Sequence, residues 1–244
     1  PGKSPRIRSP RTYPHLEFRD RRAFNLRGLD FLGPRACFPG GFPHNSGMTE
    51  KSPADTEKAL TAGSLRDHFL IAMPGMLDRN FAHSITYICE HSDEGAMGLV
   101  LNNAMPLTLG DIFSQLELGD EQHLGDRTVL AGGPVQVERG FVVHNDTSRW
   151  QSTLSVADDV SLSASRDILE ALAEGRGPEN FIIALGYAGW QAGQLEDEIP
   201  ANAWLTMPAD RHILFHTPSE QRWAAAANHL GFDLNLISAT AGHA

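Results

Sequence analysis

The feature that most constrains the fold is a pair of short apolar runs separated by turn-forming residues. Residues 84–91 are rich in β-branched and aromatic side chains, residues 92–95 are polar and end in glycine, and residues 97–102 are again apolar. β-Branched and aromatic residues favour strands, and a short polar segment with glycine favours a tight turn. The pattern predicts a β-hairpin.

Other short apolar runs, each bounded by glycine, proline or polar residues, extend this pattern along the chain. They predict further strands, at residues 69–73, 129–131, 140–144 and 181–185. Sheet is therefore expected to dominate the fold.

Helices are predicted from their ends. Residues 217–220 read Thr-Pro-Ser-Glu, which combines a capping box with proline at the first helical position, and Gly231 closes the segment that follows. Ser165 begins a second predicted helix, and residues 108–116 form a third. Hairpin strands mixed with separated helices indicate an α+β fold rather than a doubly wound parallel sheet.

The charge of the chain is unevenly distributed. Residues 1–47 carry 9 basic and 3 acidic side chains, whereas the remainder carries 11 basic and 27 acidic ones. Affinity for nucleic acid rests largely on Lys and Arg at phosphates. We therefore expect no nucleic-acid binding by the acidic body.

Residues 1–47 also differ from the body in composition, with seven of the fifteen prolines and no methionine. They are expected to form a disordered, basic, Pro/Arg-rich extension. We place the natural start at or near Met48, so that 1–47 is not part of the natural protein and 48–244 is a single domain. A genuine flexible tail or a transit peptide are the alternatives.

Cellular location is inferred from cysteine use and apolar run length. Cys37 and Cys89 do not form a disulfide framework. The apolar runs fall short of the roughly 18 to 20 residues that a membrane helix needs, and we find no signal peptide. These features predict a cytoplasmic protein with no membrane association.

Residues 185–199 concentrate glycine, aromatic and acidic residues. Three glycines there follow a predicted strand and precede a predicted helix, but no Lys or Arg lies nearby to bind phosphate. The glycines then serve sharp turns and close packing. If a ligand binds, Tyr187, Trp190 and Gln194 could supply stacking faces and an amide for a neutral or cationic group.

The acidic residues that follow admit several uses. Glu196, Asp197 and Glu198 could act as acid and base or bind a cation, or they could form a solvated helix face. Arg139 could pair with Glu138 or another carboxylate of the body, or bind a ligand carboxylate. The residues alone do not separate these uses.

Histidine and cysteine are the residues that could bind a metal or act as a nucleophile. The eleven histidines are scattered, without an H-E-x-x-H motif, so we predict no metal site and no cofactor. A site assembled from His91, His144 and Asp78 is the alternative. Cys89 shares a predicted strand face with Tyr87 and His91, so it is either a nucleophile beside a histidine or an inert buried thiol.

Several of these segments, in this order, resemble the AlgH/YqgE family of bacterial proteins. The resemblance extends from about Leu65 to Ala244 and includes residues 68–74 with Leu77, Asp78 and Phe81; Glu90 and His91 with residues 95–102; residues 132–135 with Arg139 and Gly140; residues 185–199; Trp204; and residues 238–244. Members commonly have a basic residue and proline after the position of Asn102, where this chain has Asn103 and Ala104. The family has no counterpart of residues 1–47.

The resemblance implies an α+β fold in which a bifurcated, mostly antiparallel sheet curls into a pseudo-barrel with flanking helices. It also implies a cytosolic protein and brings the label of transcriptional regulator. We expect a non-catalytic regulatory protein that binds a protein partner or a small molecule. The alternatives are an enzyme, a hydrolase or transferase using His and carboxylate groups, and, third, a direct DNA-binding regulator. Catalytic residues are not identified; the candidate binding residues are Asp78, His91, Asn102, Arg139, Tyr187, Trp190, Gln194 and Glu198.

Overall fold

The computed structural model describes residues 63–231, and within them ten strands and five helices follow one another along the chain. The strands are β1 (His68–Ala72), β2 (Ile85–Ser92), β3 (Gly95–Val100), β4 (Ala104–Thr108), β5 (Thr128–Ala131), β6 (Val135–His144), β7 (Thr153–Ala157), β8 (Val160–Ser163), β9 (Phe181–Gln191) and β10 (Trp204–Pro208). The helices are α1 (Leu109–Gln115), α2 (Arg166–Ala173), α3 (Gln194–Glu198), α4 (Arg211–Phe215) and α5 (Ser219–His229). The predicted extension 1–47 lies outside the described residues. So do residues 48–62 and 232–244 of the predicted domain.

The strands form one mostly antiparallel sheet in the order β10-β1-β2-β3-β9-β6-β8-β7. The sheet forks at β9, whose residues 181–187 pair with β6 and whose residues 188–191 pair with β3. The short strand β5 joins β9 in parallel at Ala184 and Leu185, and β4 pairs with β5. The sheet curls into a half-barrel with flanking helices, which confirms the predicted α+β fold.

Three groups of buried side chains surround this sheet. The interior group lies inside the curl, between β1, β2, β3, β6 and β9, and is covered by α4 and α5. A second group packs α1 and α2 against the outer side of β6 and β9. A third packs α3 and the β1–β2 connection against β1, β3 and the end of β9. Every helix thus covers one part of a sheet that would otherwise expose apolar side chains.

Gly186 changes which side chains of β9 face the interior. Before it, Ile182 and Ala184 belong to the interior group, and after it Tyr187 does, so the alternation shifts by one residue. Gly186 has φ of 72°, and a Cβ there would lie 2.5 Å from the carbonyl oxygen of Gly133. Only glycine satisfies both conditions without strain.

The prediction that β9 ends at residue 185 was wrong. The strand continues through Gly189 to Gln191, and the turn into α3 falls at Ala192 and Gly193. The left-handed Gly193, with φ of 76°, forms the N-cap of α3. The glycines at 186 and 189 therefore belong to the strand rather than to a strand-to-helix turn.

The predicted helices are present, but their caps differ. Thr108 and Asp111 form a reciprocal capping box at α1. Ser165 is the N-cap of α2, although its hydroxyl donates to the Asp167 carboxylate at 2.6 Å. The capping box predicted at residues 217–220 was wrong: Pro218 is the N-cap of α5, and no side chain caps the backbone there. No helix between residues 63 and 231 is long and apolar enough to cross a membrane.

Candidate functional site

A single carboxylate joins β9, α3 and β10. Oε2 of Glu198 accepts hydrogen bonds from the indole N–H of Trp190 at 3.0 Å and from that of Trp204 at 2.8 Å. Its Oε1 accepts from the Gln194 amide at 2.9 Å. We call these four residues the aromatic clasp. Three donors around one carboxylate leave it well satisfied in a partly buried place.

The local sequence explains how the clasp forms. The strand β9 presents Trp190, the left-handed Gly193 turns the chain, and α3 then places Gln194 and Glu198 one helical turn apart. The Gln194 carbonyl oxygen accepts from the Gln191 backbone N–H at 3.0 Å, which fixes the turn. A five-residue helix is not stable alone, so buried Leu195 and the clasp hold α3 in place.

The β1–β2 loop, residues 73–84, lies over the same aromatic group. The ring of Phe81 packs 5.4 Å from that of Trp204 and 6.0 Å from that of Trp190, measured between centroids. Asp78 organises this loop: its carboxylate accepts from the Asn80 N–H at 2.8 Å, and its backbone carbonyl accepts from Phe81 and Ala82. Leu77, next to Asp78, is 94% exposed.

His91 links the end of β2 to α3. Its Nδ1 accepts from the backbone N–H of Leu65 at 2.8 Å, so Nδ1 carries no proton. Its Nε2–H therefore donates to Oε1 of Glu196, at 2.6 Å. The His91 side chain is 6% exposed and that of Glu196 is 52% exposed. This contact fastens the β2–β3 hairpin to the helix that carries Glu198.

The other three candidates lie outside the aromatic clasp. Asn102 bridges two backbone groups: its carbonyl accepts from the Ile85 N–H at 3.0 Å and its amide donates to the His83 carbonyl at 2.8 Å. Arg139 is buried, donates to Gln136 at 3.2 Å and lies 5.3 Å from the ring centroid of Phe141.

Tyr187 also belongs to the interior, since it is 8% exposed and packs edge-on against Phe141. Trp190 is 6% exposed. The structure thus gathers His91, Trp190, Gln194 and Glu198 around α3. Asp78 lies on the loop that packs against this group, and Asn102 is bonded to the end of the same loop at His83. Arg139 and Tyr187 lie in the interior. The role of all eight as binding residues stays a prediction.

Cys89 is an inert thiol. The register between β2 and β3 shifts between Ile88 and Glu90, so a bulge at Cys89 interrupts the strand alternation. The expectation that Cys89 shares a strand face with His91 was therefore wrong. The thiol is fully buried, donates to the Tyr87 carbonyl, and burial raises its pKa far above the ordinary value. A thiol that stays protonated is a poor nucleophile.

The alternative metal site is not assembled. Among residues 63–231 no three His, Cys, Asp or Glu side chains are grouped so that they could hold a metal ion. His144 is fully buried and shares a hydrogen bond with the Ser163 hydroxyl at 2.9 Å. Burial lowers the pKa of His144 to about 4, so the ring is neutral at physiological pH.

A charged network joins the start of β1, the start of α4 and the β7–β8 turn, and we call this region the open side of the half-barrel. It was not predicted from the sequence. Arg211, at the start of α4, donates two hydrogen bonds to Asp67 and two to Asp159, at 2.7 to 2.9 Å. The Tyr87 hydroxyl also donates to Asp67, at 2.8 Å. The two carboxylates raise the pKa of Arg211, and Arg211 in turn lowers the pKa of Asp159.

This network ties β1, α4 and the β7–β8 turn together. Arg66 adds a second connection, since its guanidinium donates to the backbone carbonyls of Ser155 and Val156 on β7. The paired residues lie 144, 52 and about 90 positions apart in the chain. No local spacing in the sequence could have revealed them.

Comparison with known proteins agrees with this architecture. A family model described as AlgH-like (DUF179) matches residues 69–235. A UPF0301 protein of Saccharophagus degradans is 62% identical over 181 residues, which cover 74% of this chain and 89% of the relative. A UPF0301 protein of Thioalkalivibrio sulfidiphilus is 53% identical over 186 residues, covering 76% and 100%.

Two solved structures share the fold. The solution structure of AlgH from Pseudomonas aeruginosa has 47% identity and a TM-score of 0.63, with 81% of this chain and 100% of that chain covered. A crystal structure of a protein from Corynebacterium diphtheriae has 21% identity, a TM-score of 0.58 and coverage of 72% and 93%, a likeness in fold alone.

The forked, curled sheet with its clasped helix defines an α+β half-barrel protein of the AlgH-like class. With the family model covering most of the chain and relatives above half identity, this chain belongs to the AlgH/YqgE family, also named UPF0301. The predicted family is confirmed.

Proposed function

We propose that this protein is a non-catalytic regulator that works in the cytosol by binding a partner protein. The binding surface comprises the β1–β2 loop and α3. One observation carries the proposal: each polar side-chain atom of the aromatic clasp already has a partner within the clasp or on the adjacent backbone. Groups engaged in this way shape a surface and leave no carboxylate or amide of the clasp open for chemistry.

The loop presents an apolar side chain on a fixed backbone. Its ends are held by hydrogen bonds from Ala72 N–H to the Ser84 carbonyl at 2.9 Å and from Met73 N–H to the Ala203 carbonyl at 3.1 Å. Between them Leu77 is 94% exposed. A pre-organised loop loses little conformational entropy when a partner covers it, which favours its use as a contact.

The charge on α3 and on the β2–β3 turn indicates the chemistry of the partner, although Arg79 is exposed beside Leu77. Asp93, Glu94, Glu196 and Asp197 are exposed on the β2–β3 turn and on α3, and the His91–Glu196 contact holds these two elements together. Residues 63–231 contain nine arginines, no lysine and 23 acidic residues. Complementarity therefore favours a partner with basic side chains around an apolar pocket, and it disfavours operator DNA.

Affinity capture with the full chain tests the proposal. Leu77→Asp removes the apolar contact at an exposed position, and Gln122→Asp makes a similar change at an exposed position on the α1–β5 connection. A protein captured by the wild type and by Gln122→Asp, but lost with Leu77→Asp, supports the proposal once the purified pair binds. Trp190 is a poorer choice for substitution because it is buried.

The same experiment separates the alternatives. Native mass spectrometry of the purified chain that shows a retained metabolite, with no protein captured through Leu77, would replace the protein partner with a small molecule. Equal capture by the two variants would place the partner surface elsewhere on the protein. Either result overturns the proposal as stated.

A further inference from the structure

Two exposed histidines lie one turn apart at the corner between α4 and α5. The backbone N–H of His216 donates to the carbonyl of His212 at 2.8 Å, so the two residues occupy the same face of this turn. The buried Ile213 and Leu214 occupy the opposite face. Both histidines are exposed.

The backbone that carries these two rings is firmly held. Asp210 caps the Ile213 N–H at 2.9 Å, and Arg211 is bound to two carboxylates from other parts of the sheet. Ile213 and Leu214 are anchored in the interior group. Two metal-ligating side chains on such a backbone are pre-organised, so they lose little conformational entropy when an ion binds.

The rings lie close to the separation that a chelating pair requires. Their centroids are 5.7 Å apart and their planes are inclined by 38°. With metal–nitrogen bonds of about 2.0–2.1 Å and a near-tetrahedral angle, two coordinating imidazoles have ring centres roughly 5 Å apart. A small side-chain rotation closes the difference. Within residues 63–231, neither ring makes a hydrogen bond or an ion pair.

We propose that His212 and His216 form a binding site for one divalent late transition-metal ion, with water completing the coordination. Imidazole nitrogens suit Zn²⁺, Ni²⁺ and Cu²⁺ and do not suit Mg²⁺ or Ca²⁺. The spacing is that of the two histidines in the H-E-x-x-H motif, here with Ile213 and Leu214 in the first two intervening positions. The site is separate from the aromatic clasp, so it stands or fails independently of the proposed partner surface.

The test is calorimetric titration of the full chain with Ni²⁺ and, separately, with Mg²⁺. His212→Gln and His216→Gln each remove one ligand at an exposed position and should leave the fold intact, as circular dichroism would verify. His229→Gln removes an exposed histidine near the end of α5 and serves as the matched control. Because the second imidazole binds intramolecularly, loss of either ligand should weaken Ni²⁺ binding at least about tenfold.

A second measurement locates the ion. Substoichiometric paramagnetic Cu²⁺ should broaden the imidazole resonances of His212 and His216 before those of the other histidines. Unchanged Ni²⁺ affinity in both His212→Gln and His216→Gln would overturn the proposal. So would Cu²⁺ broadening that begins at another histidine, or Mg²⁺ binding that equals Ni²⁺ binding.

Discussion

The indole N–H of Trp204 lies 2.8 Å from Oε2 of Glu198, and this bond joins the edge strand β10 to the short helix α3. The same oxygen accepts from Trp190 on β9. Two strands and a helix are thus held by one carboxylate, under the surface that we propose for partner binding.

Glu198→Gln should destabilise the protein by about 1–3 kcal/mol. The amide supplies one acceptor oxygen where the carboxylate supplies two, so an NH₂ group must face either the two indoles or the Gln194 amide. Two buried indoles in the first case, or the half-buried Gln194 amide in the second, then lose their acceptor. The measurement is the free energy of unfolding from urea titration. Asp197→Asn, on the exposed side of α3, is the control and should change the free energy little; equal effects of the two would refute this role of Glu198.

Gly186→Ala should cost more stability than Gly193→Ala. Both glycines have left-handed backbones, with φ of 72° and 76°, so both substitutions carry a conformational cost of about 1–2 kcal/mol. Only at Gly186 does the added Cβ meet backbone, 2.5 Å from the Gly133 oxygen, whereas space is open at Gly193. Thermal unfolding of the two variants measures the difference, and a smaller loss at Gly186 would contradict the close backbone approach.

Arg211→Lys should loosen the open side of the half-barrel. Lysine keeps the charge but cannot make the two forked contacts that the guanidinium makes with Asp67 and Asp159. Hydrogen exchange should therefore speed up in α4 and in the β7–β8 turn while it stays unchanged in β9. Arg166→Lys on α2, whose ion pair with Glu170 is exposed, is the matched control. Unaltered exchange in α4 would show that the network does not hold this side closed.

Stability should fall in mild acid because of His144. Its folded pKa of about 4 lies below the ordinary 6.5, so the unfolded chain binds a proton first as the pH falls. The free energy of unfolding is therefore unaffected by His144 above about pH 6.5 and falls progressively toward pH 4. The total loss from this group is roughly 3 kcal/mol. His144→Gln should flatten this part of the pH profile, measured by urea unfolding at several pH values. His229→Gln should leave the profile as in the wild type; a wild-type slope in His144→Gln would assign the acid sensitivity to other groups.

Sequence reasoning located elements whose signal was local, although it misread the cap at residues 217–220. The hairpin formed by β2 and β3 and the helix predicted at residues 108–116 depend on neighbours in the chain, and both are present. The shift at Gly186 escaped prediction because glycine in an apolar run does not reveal its φ.

Contacts between residues far apart in the chain could not be predicted from the sequence for a different reason. Glu198 was expected among solvated or reactive carboxylates, yet its partner Trp204 reaches it only because β10 lies beside β1 at the sheet edge. Arg211 and Asp67 meet across 144 residues. Such pairs follow from the topology of the half-barrel, which the resemblance to the AlgH/YqgE family implied but the residue pattern alone did not.

The most direct test of the proposed function is photo-crosslinking in the source cell with a photoreactive amino acid in place of Leu77. The full chain with the same substitution at Gln122 is the control. We predict one discrete protein adduct from position 77 and none from position 122. The absence of an adduct at position 77, or the same adducts from both positions, would contradict a partner surface at the β1–β2 loop and α3.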